Sequence, residues 1–227
     1  MSNGSHVVVA IDGPSGTGKS SVSKAVARKL GVGFLDTGAM YRALTWWCLE
    51  QQIELTDADA VAAASRDLPL TMGTDPNHPD VFIDGRSIEV HIRESRISQS
   101  VSTVATNLDV RADMQQRQRE LMAQVSEQTG GVVAEGRDIT TVVAPDATVR
   151  ILMTASEEAR MARRSKQLSV TAESTRSQIV DRDRVDSTVS TFMTAADGVV
   201  TVDTSHLDFE QSVQAVLHVV SAEAGHE

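Results

Sequence analysis

Residues 13–20 read GPSGTGKS, which sets Gly13, Gly18, Lys19 and Ser20 in the pattern G-x-x-x-x-G-K-[ST]. That spacing serves one kind of chemistry. Glycines let the backbone turn so that successive N–H groups converge on phosphate oxygens. A helix starting at the end of the motif adds the positive end of its dipole. Lys19 then reaches the β and γ phosphates of a bound nucleotide, and the Ser20 hydroxyl ligates Mg²⁺. The expected nucleotide-binding set is Gly13, Pro14, Ser15, Gly16, Thr17, Gly18, Lys19, Ser20 and Ser21, with Ser20 as the metal ligand. The motif requires a strand before it and a helix after it. VVVAI (7–11) and SSVSKAVARKL (20–30) supply both. This much implies a nucleoside triphosphate and leaves the reaction open.

Two further polar segments follow strand-like runs. DTGAMYR (36–42) comes after Val32–Leu35, and EGRDITTVV (135–143) ends a third apolar run. In an open α/β sheet, loops at the carboxyl ends of strands face the ligand crevice. Thr37 offers a hydroxyl, Tyr41 an aromatic face and Arg42 a guanidinium fork; Arg137 and Asp138 would face the same crevice. Taken alone, Tyr41 fits the core and Arg42 a solvated surface equally well. Two arginine forks at one crevice suggest a second phosphate-bearing ligand. The basic residues favour this: four are Lys (19, 24, 29 and 166) and 17 are Arg. Arginine grips phosphate through two parallel bonds, whereas lysine is a point charge.

The elements that must hold these groups alternate. Helices are expected over 39–52, near 57–65, over 92–106, 109–128, 156–167, 171–184 and 208–223, and strands at 148–154 and 198–203. Between them, LPLTM, a turn-rich DPNHPD and VFIDGRSIEV form a small antiparallel insertion, with Asp84-Gly85 as the hairpin turn. Five short strands alternating with helices predict an α/β fold: a five-stranded parallel sheet flanked by helices, plus that insertion. The 227 residues, 41% hydrophobic and 23% charged, suit one large domain with an insertion. The formal net charge of −10 argues against nucleic-acid binding. A lone Cys48, no apolar run of about 18 residues, and no basic stretch before VVVAI predict a cytoplasmic protein without membrane contact.

GPSGTGKS, DTGAMYR, EGRD followed by TVV-PDA, and RDRVDST together resemble bacterial cytidylate kinase, a P-loop nucleoside monophosphate kinase, over nearly the whole chain. The resemblance implies transfer of phosphate from ATP, with Mg²⁺, to CMP or dCMP, by a monomer of pyrimidine metabolism. It also implies a CORE (about 1–36, 130–155 and 198–227), a monophosphate-binding region (about 37–129) and a LID (about 156–197). At matching positions, Thr37, Tyr41 and Arg42 look like the acceptor segment. Ser102 and Arg111 look like readers of the cytosine edge, Arg137 like an acceptor-phosphate ligand and Asp138 like a base contact. Arg182 and Asp186 look like the pair near the ribose, and Arg160, Arg163 and Arg164 like arginines closing over the transferring phosphate. One departure stands out: Val189 occupies the place of an arginine that would contact the base, and the following proline is missing. Arg184 or a LID arginine is the expected compensation; without it, cytosine selectivity falls.

The charged helices around 156–186 are the expected moving part, since water must be kept from the γ-phosphate. Glu135 is either an organiser of metal-bound water or structural. Another P-loop small-molecule kinase, such as one acting on UMP, is the nearest alternative. A nucleotide-binding switch is more distant, because the chain carries no N-K-x-D guanine reader.

Overall fold

A computed structural model of the protein describes residues 6–168 and 177–225. Its centre is a parallel sheet of β1 (Val7–Asp12), β2 (Gly33–Asp36), β6 (Gly131–Gly136), β7 (Val149–Thr154) and β8 (Val200–Asp203), in the order β2-β6-β1-β7-β8. Because β1 lies in the middle and is covered on both faces, it reads as a continuous apolar run rather than an alternating one. Its side chains still alternate between two cores. Val9 and Ile11 pack with α1 (Lys19–Leu30) and the last helix, α8 (Phe209–Ala224). Ala10 packs on the other side with α2 (Thr37–Glu50), α3 (Ala58–Arg66), α4 (Ser95–Ala105) and α5 (Leu108–Thr129). The expected α/β sandwich is therefore the observed one.

The insertion is a three-stranded antiparallel sheet of β3 (Leu70–Met72), β4 (Val81–Ile83) and β5 (Arg86–Ser87). Asp84 and Gly85 turn the hairpin with φ of 48° and 72°, the left-handed pair that matches strand twist. Val81, Ile83 and Ile88 belong to the same core as α2, so the insertion is fused to the main body. Its 73–80 loop also reaches β2 and α1. The Phe34 N–H of β2 donates to the Thr74 carbonyl at 2.8 Å, and Arg28 Nε of α1 to the Pro76 carbonyl at 3.0 Å.

Two expected boundaries differ. The helix over 92–106 is split: a single tight turn at His91–Arg93 precedes α4, because Glu94 is extended (ψ 151°). β6 ends at Gly136 and runs, as expected, into a polar loop that carries Arg137 and Asp138. Of the helix expected at 171–184, residues 171–176 lie outside the described residues; from 177 the chain makes a wide turn, Ser177–Asp181, and then α7 (Arg182–Asp186), rather than one continuous helix. Between α5 and α7, α6 (Glu157–Leu168) follows β7.

Candidate active site

The 13–20 loop leaves the carboxyl end of β1 and enters α1 through Gly18, whose φ of 88° closes the turn without a steric penalty. Thr17 Oγ1 braces the loop by donating to the Pro14 carbonyl at 3.1 Å. Arg163 and Thr204 hold it from behind, both donating to the Thr17 carbonyl (3.1 and 3.2 Å).

The two groups at the end of the loop meet one carboxylate. Lys19 Nζ is paired with Glu135 Oε2, and Ser20 Oγ donates to Glu135 Oε1 at 2.5 Å. Glu135 is the last residue but one of β6, next to β1, which is why sequence-distant residues converge here. Burial alone would raise the Glu135 carboxyl; the Lys19 ammonium and the hydrogen bonds from Lys19 and Ser20 outweigh it and hold the group below its usual range. Its buried neighbour Asp36 is pushed up to about 6 by burial and by the Glu135 charge. Asp36 also caps α2, accepting from the Ala39 N–H at 2.9 Å. A hydroxyl and two carboxylates form an all-oxygen donor set. Mg²⁺ is held by one or two carboxylates together with substrate phosphates rather than by a full protein cage. Among the described residues no group of three or more His, Cys, Asp or Glu forms such a cage. Ser20, Glu135 and Asp36 thus fit Mg²⁺, and an unbalanced buried carboxylate pair is relieved by a cation.

Opposite the loop lies a second set. Arg137 Nη2 donates to Ser15 Oγ (2.6 Å) and Asp183 Oδ1 (2.8 Å), and its Nη1 pairs with Asp186. Arg182 Nε stands 3.6 Å from Asp186. Burial and the charges of Arg137 and Arg42 bring Arg182 down to about 9. Burial, with Arg164, Arg93 and Arg137 nearby, lowers Arg42 to about 10. Half-buried guanidiniums that depress one another mark a site short of negative charge. Arg42 Nη1 is aimed by Ser98 Oγ (2.9 Å) and the Ile92 carbonyl (3.2 Å). Thr37 Oγ1 donates to the Glu135 carbonyl at 2.8 Å. Further along, Arg111 Nη2 and Gln115 Nε2 both donate to Asp138 Oδ2, at 2.5 and 2.7 Å.

These sets open into one cleft of about 690 Å³. It is lined by all of residues 13–21 and by Thr37, Tyr41, Arg42, Arg111, Arg137, Asp138, Arg182 and Asp186. Tyr41 is both core and wall: it is buried in the α2 core and faces the cleft. Ser102 is half-buried on α4 and is not among the lining residues; its neighbours Val101 and Ala105 are. The three arginines of α6 have separate places. Arg160 lies behind the loop, donating to the Ser15 carbonyl (2.9 Å) and to Asp183 Oδ2 (2.5 Å). Arg163 reaches the wall, with its donors on Thr17, Thr204 and the Leu207 carbonyl. Arg164 also lines the cleft. Arg184 is exposed and off the wall, so it does not stand in for the arginine missing at Val189; Ser190, with a buried Oγ that has no partner, lines the cleft there.

Sequence reasoning missed several members. Asp183 joins Arg137, Arg160 and the Ser15 N–H (3.1 Å). Its i,i+3 spacing to Asp186 on one helical turn was the available signal. Arg93 lines the cleft from the turn before α4, and Phe192 packs under Arg137. Neither carries a local signal.

The chain matches the family model described as Cytidylate kinase over residues 9–222. It is 46% identical over 216 residues to a cytidylate kinase of Streptomyces avermitilis, covering 94% of this chain and 92% of that one. It is 43% identical to one of Nocardia farcinica, covering 97% and 96%. Among solved structures it resembles a gluconokinase from Sinorhizobium meliloti, with a TM-score of 0.52 at 15% identity over 97% of this chain and 95% of that one. That likeness concerns the fold alone.

Proposed function

Because the chain belongs to the cytidylate kinase family, we propose that this cleft transfers the γ-phosphoryl group of ATP to CMP or dCMP, giving ADP and CDP or dCDP. One observation carries the reading: two anion-binding devices, the 13–20 loop with Lys19 and the cluster of Arg42, Arg137 and Arg182, share one cleft. A kinase for a phosphorylated acceptor needs both.

Phosphoryl transfer asks the protein for position and positive charge rather than covalent help. The backbone N–H groups of residues 16–21 cradle the donor phosphates. Lys19 exchanges its Glu135 partner for the donor's β and γ oxygens. Ser20, Glu135 and Asp36 are the residues that would hold Mg²⁺, which when bound offsets charge on the donor phosphates. Arg42 and Arg137 grip the acceptor phosphate, with Thr37 and Tyr41 beside it. Arg111 and Asp138 face the base, and Arg182 and Asp186 the sugar; Ser102 stands off the cleft wall and takes no part. Arg164 faces the transferring group. Arg160 and Arg163 act through the loop they brace, which supports a positioning role. No general base is needed, since the acceptor oxygen is already ionised near neutral pH.

The test is ADP release from ATP and Mg²⁺ with CMP, dCMP, UMP, AMP or no acceptor. Release that depends on CMP or dCMP is the expected result. Equal release with UMP would mean that the Val189 segment has loosened base selection. Release without any acceptor dependence would overturn the reading in favour of a nucleotide switch.

A further inference from the structure

Arg137 is held on three sides. Its Nη2 donates to Ser15 Oγ and Asp183 Oδ1, and its Nη1 to Asp186. A guanidinium has five N–H donors, so two are left: one on Nη1 and the one on Nε. The fourth constraint consumes none. The Phe192 ring lies against the guanidinium, its centroid 4.6 Å from Arg137 Cζ. This is inside the roughly 6 Å reach of a cation–π contact. Phe192 is fully buried, so no water competes for its face. The carboxylates and an incoming phosphate seek the same donors. The ring does not, and its attraction persists while the donors change partners.

We propose that Phe192 is a positioning residue for the acceptor phosphate: by cation–π contact it fixes the plane of Arg137 while that arginine exchanges carboxylate for phosphate. The inference rests on Arg137 gripping the acceptor phosphate, as in the function proposed above. Phe192 belongs to the segment Val189–Thr194 in which an expected arginine is absent, so the segment serves the acceptor through an aromatic ring instead.

The experiment places 3,4,5-trifluorophenylalanine at position 192, which keeps the ring's shape and drains its face of negative charge, beside Phe192→Leu. The readouts are KM for CMP, KM for ATP, kcat and the thermal midpoint. Expected is a roughly 2- to 30-fold rise in KM for CMP, with KM for ATP and the midpoint of the fluorinated protein unchanged. An unchanged KM for CMP in the fluorinated protein, or an equal rise in KM for ATP, overturns the proposal. Should Phe192→Leu fail to fold, the fluorinated protein still decides. A readout independent of turnover separates this proposal from the assigned function. In ¹⁵N-arginine-labelled protein the Arg137 signals, identified by their loss in Arg137→Lys, should be shifted by the ring current, and Phe192→Leu should remove that shift. Loss of the shift with no CMP-dependent ADP release in the unaltered protein would sink the function and the acceptor-phosphate role, leaving only the contact. No shift in the unaltered protein would sink the proposal itself.

Discussion

Asp36 and Glu135 show what a functional site costs at the level of single residues. Asp36 is raised to about 6 from its ordinary 3.8, chiefly by burial and then by Glu135. A raised carboxyl contributes stability that is complete below pH 3.8 and lost as the pH climbs through 6. Asn caps a helix as well as Asp does. Asp36→Asn should therefore match the parent near pH 4 and exceed it by about 3 kcal/mol above pH 7, as read by urea unfolding across pH, while phosphoryl transfer falls. An advantage that does not grow with pH would refute the burden assigned to this pair. Lys19→Ala should cost at least about 100-fold in kcat, since it removes a preorganised cation from the transferring group. It should leave the fold intact; near-parental turnover would refute the role. Much of the site was legible at this scale. GPSGTGKS is a local word whose chemistry follows from residue type and spacing, whereas DTGAMYR and EGRD took their roles from the family resemblance. Phe192 was not legible, because its meaning comes from Arg137, 55 positions away in the chain; Asp183 offered its i,i+3 spacing to Asp186, but not its pairing with Arg137, 46 positions away.

Among the elements, the wide turn Ile139–Val143 is the one that aims Arg137 and Asp138. Nothing in ITTVV predicts it. Its fold is imposed by Asp12 at the end of β1, which accepts from the Ile139 N–H (3.0 Å), the Thr140 N–H (2.8 Å) and Thr140 Oγ1 (2.6 Å). Burial raises Asp12 to about 6 in spite of those bonds. Thr140→Val keeps the shape and removes the hydroxyl. It should cost about 1–3 kcal/mol by leaving a buried carboxylate oxygen short of a donor. It should also raise KM for CMP more than KM for ATP, because the turn follows Asp138 directly. An equal change in both constants would argue against the turn's directing role. By contrast, four of the five core strands were legible as β-branched runs and β2 (GFLD) as a short apolar one, and Asp84-Gly85 announced its hairpin. The break before α4 was not, since Arg93 and Glu94 sit in a pattern that reads as helical throughout.

For the whole molecule, the sequence supports alternating strands and helices but not the order β2-β6-β1-β7-β8, which depends on pairings between distant segments. Val7 pairs with Gly131 and Val9 with Val149. The nucleotide loop springs from a strand fixed only when both neighbours are in place, so ATP should bind the folded chain alone. At 100 times its dissociation constant it should raise the unfolding free energy by about 2.7 kcal/mol, seen as a shifted urea midpoint. A fragment ending at residue 130 should show no such shift; a fragment that did would refute the dependence on β6 and β7. The same arrangement has a consequence on the ribosome. The first strand synthesised is the central one, and both of its partners emerge more than 120 residues later. At about 5–20 residues per second, VVVAI waits at least several seconds with no partner on either side. The strand from which the 13–20 loop springs is thus the one most in need of shelter while the chain is being made.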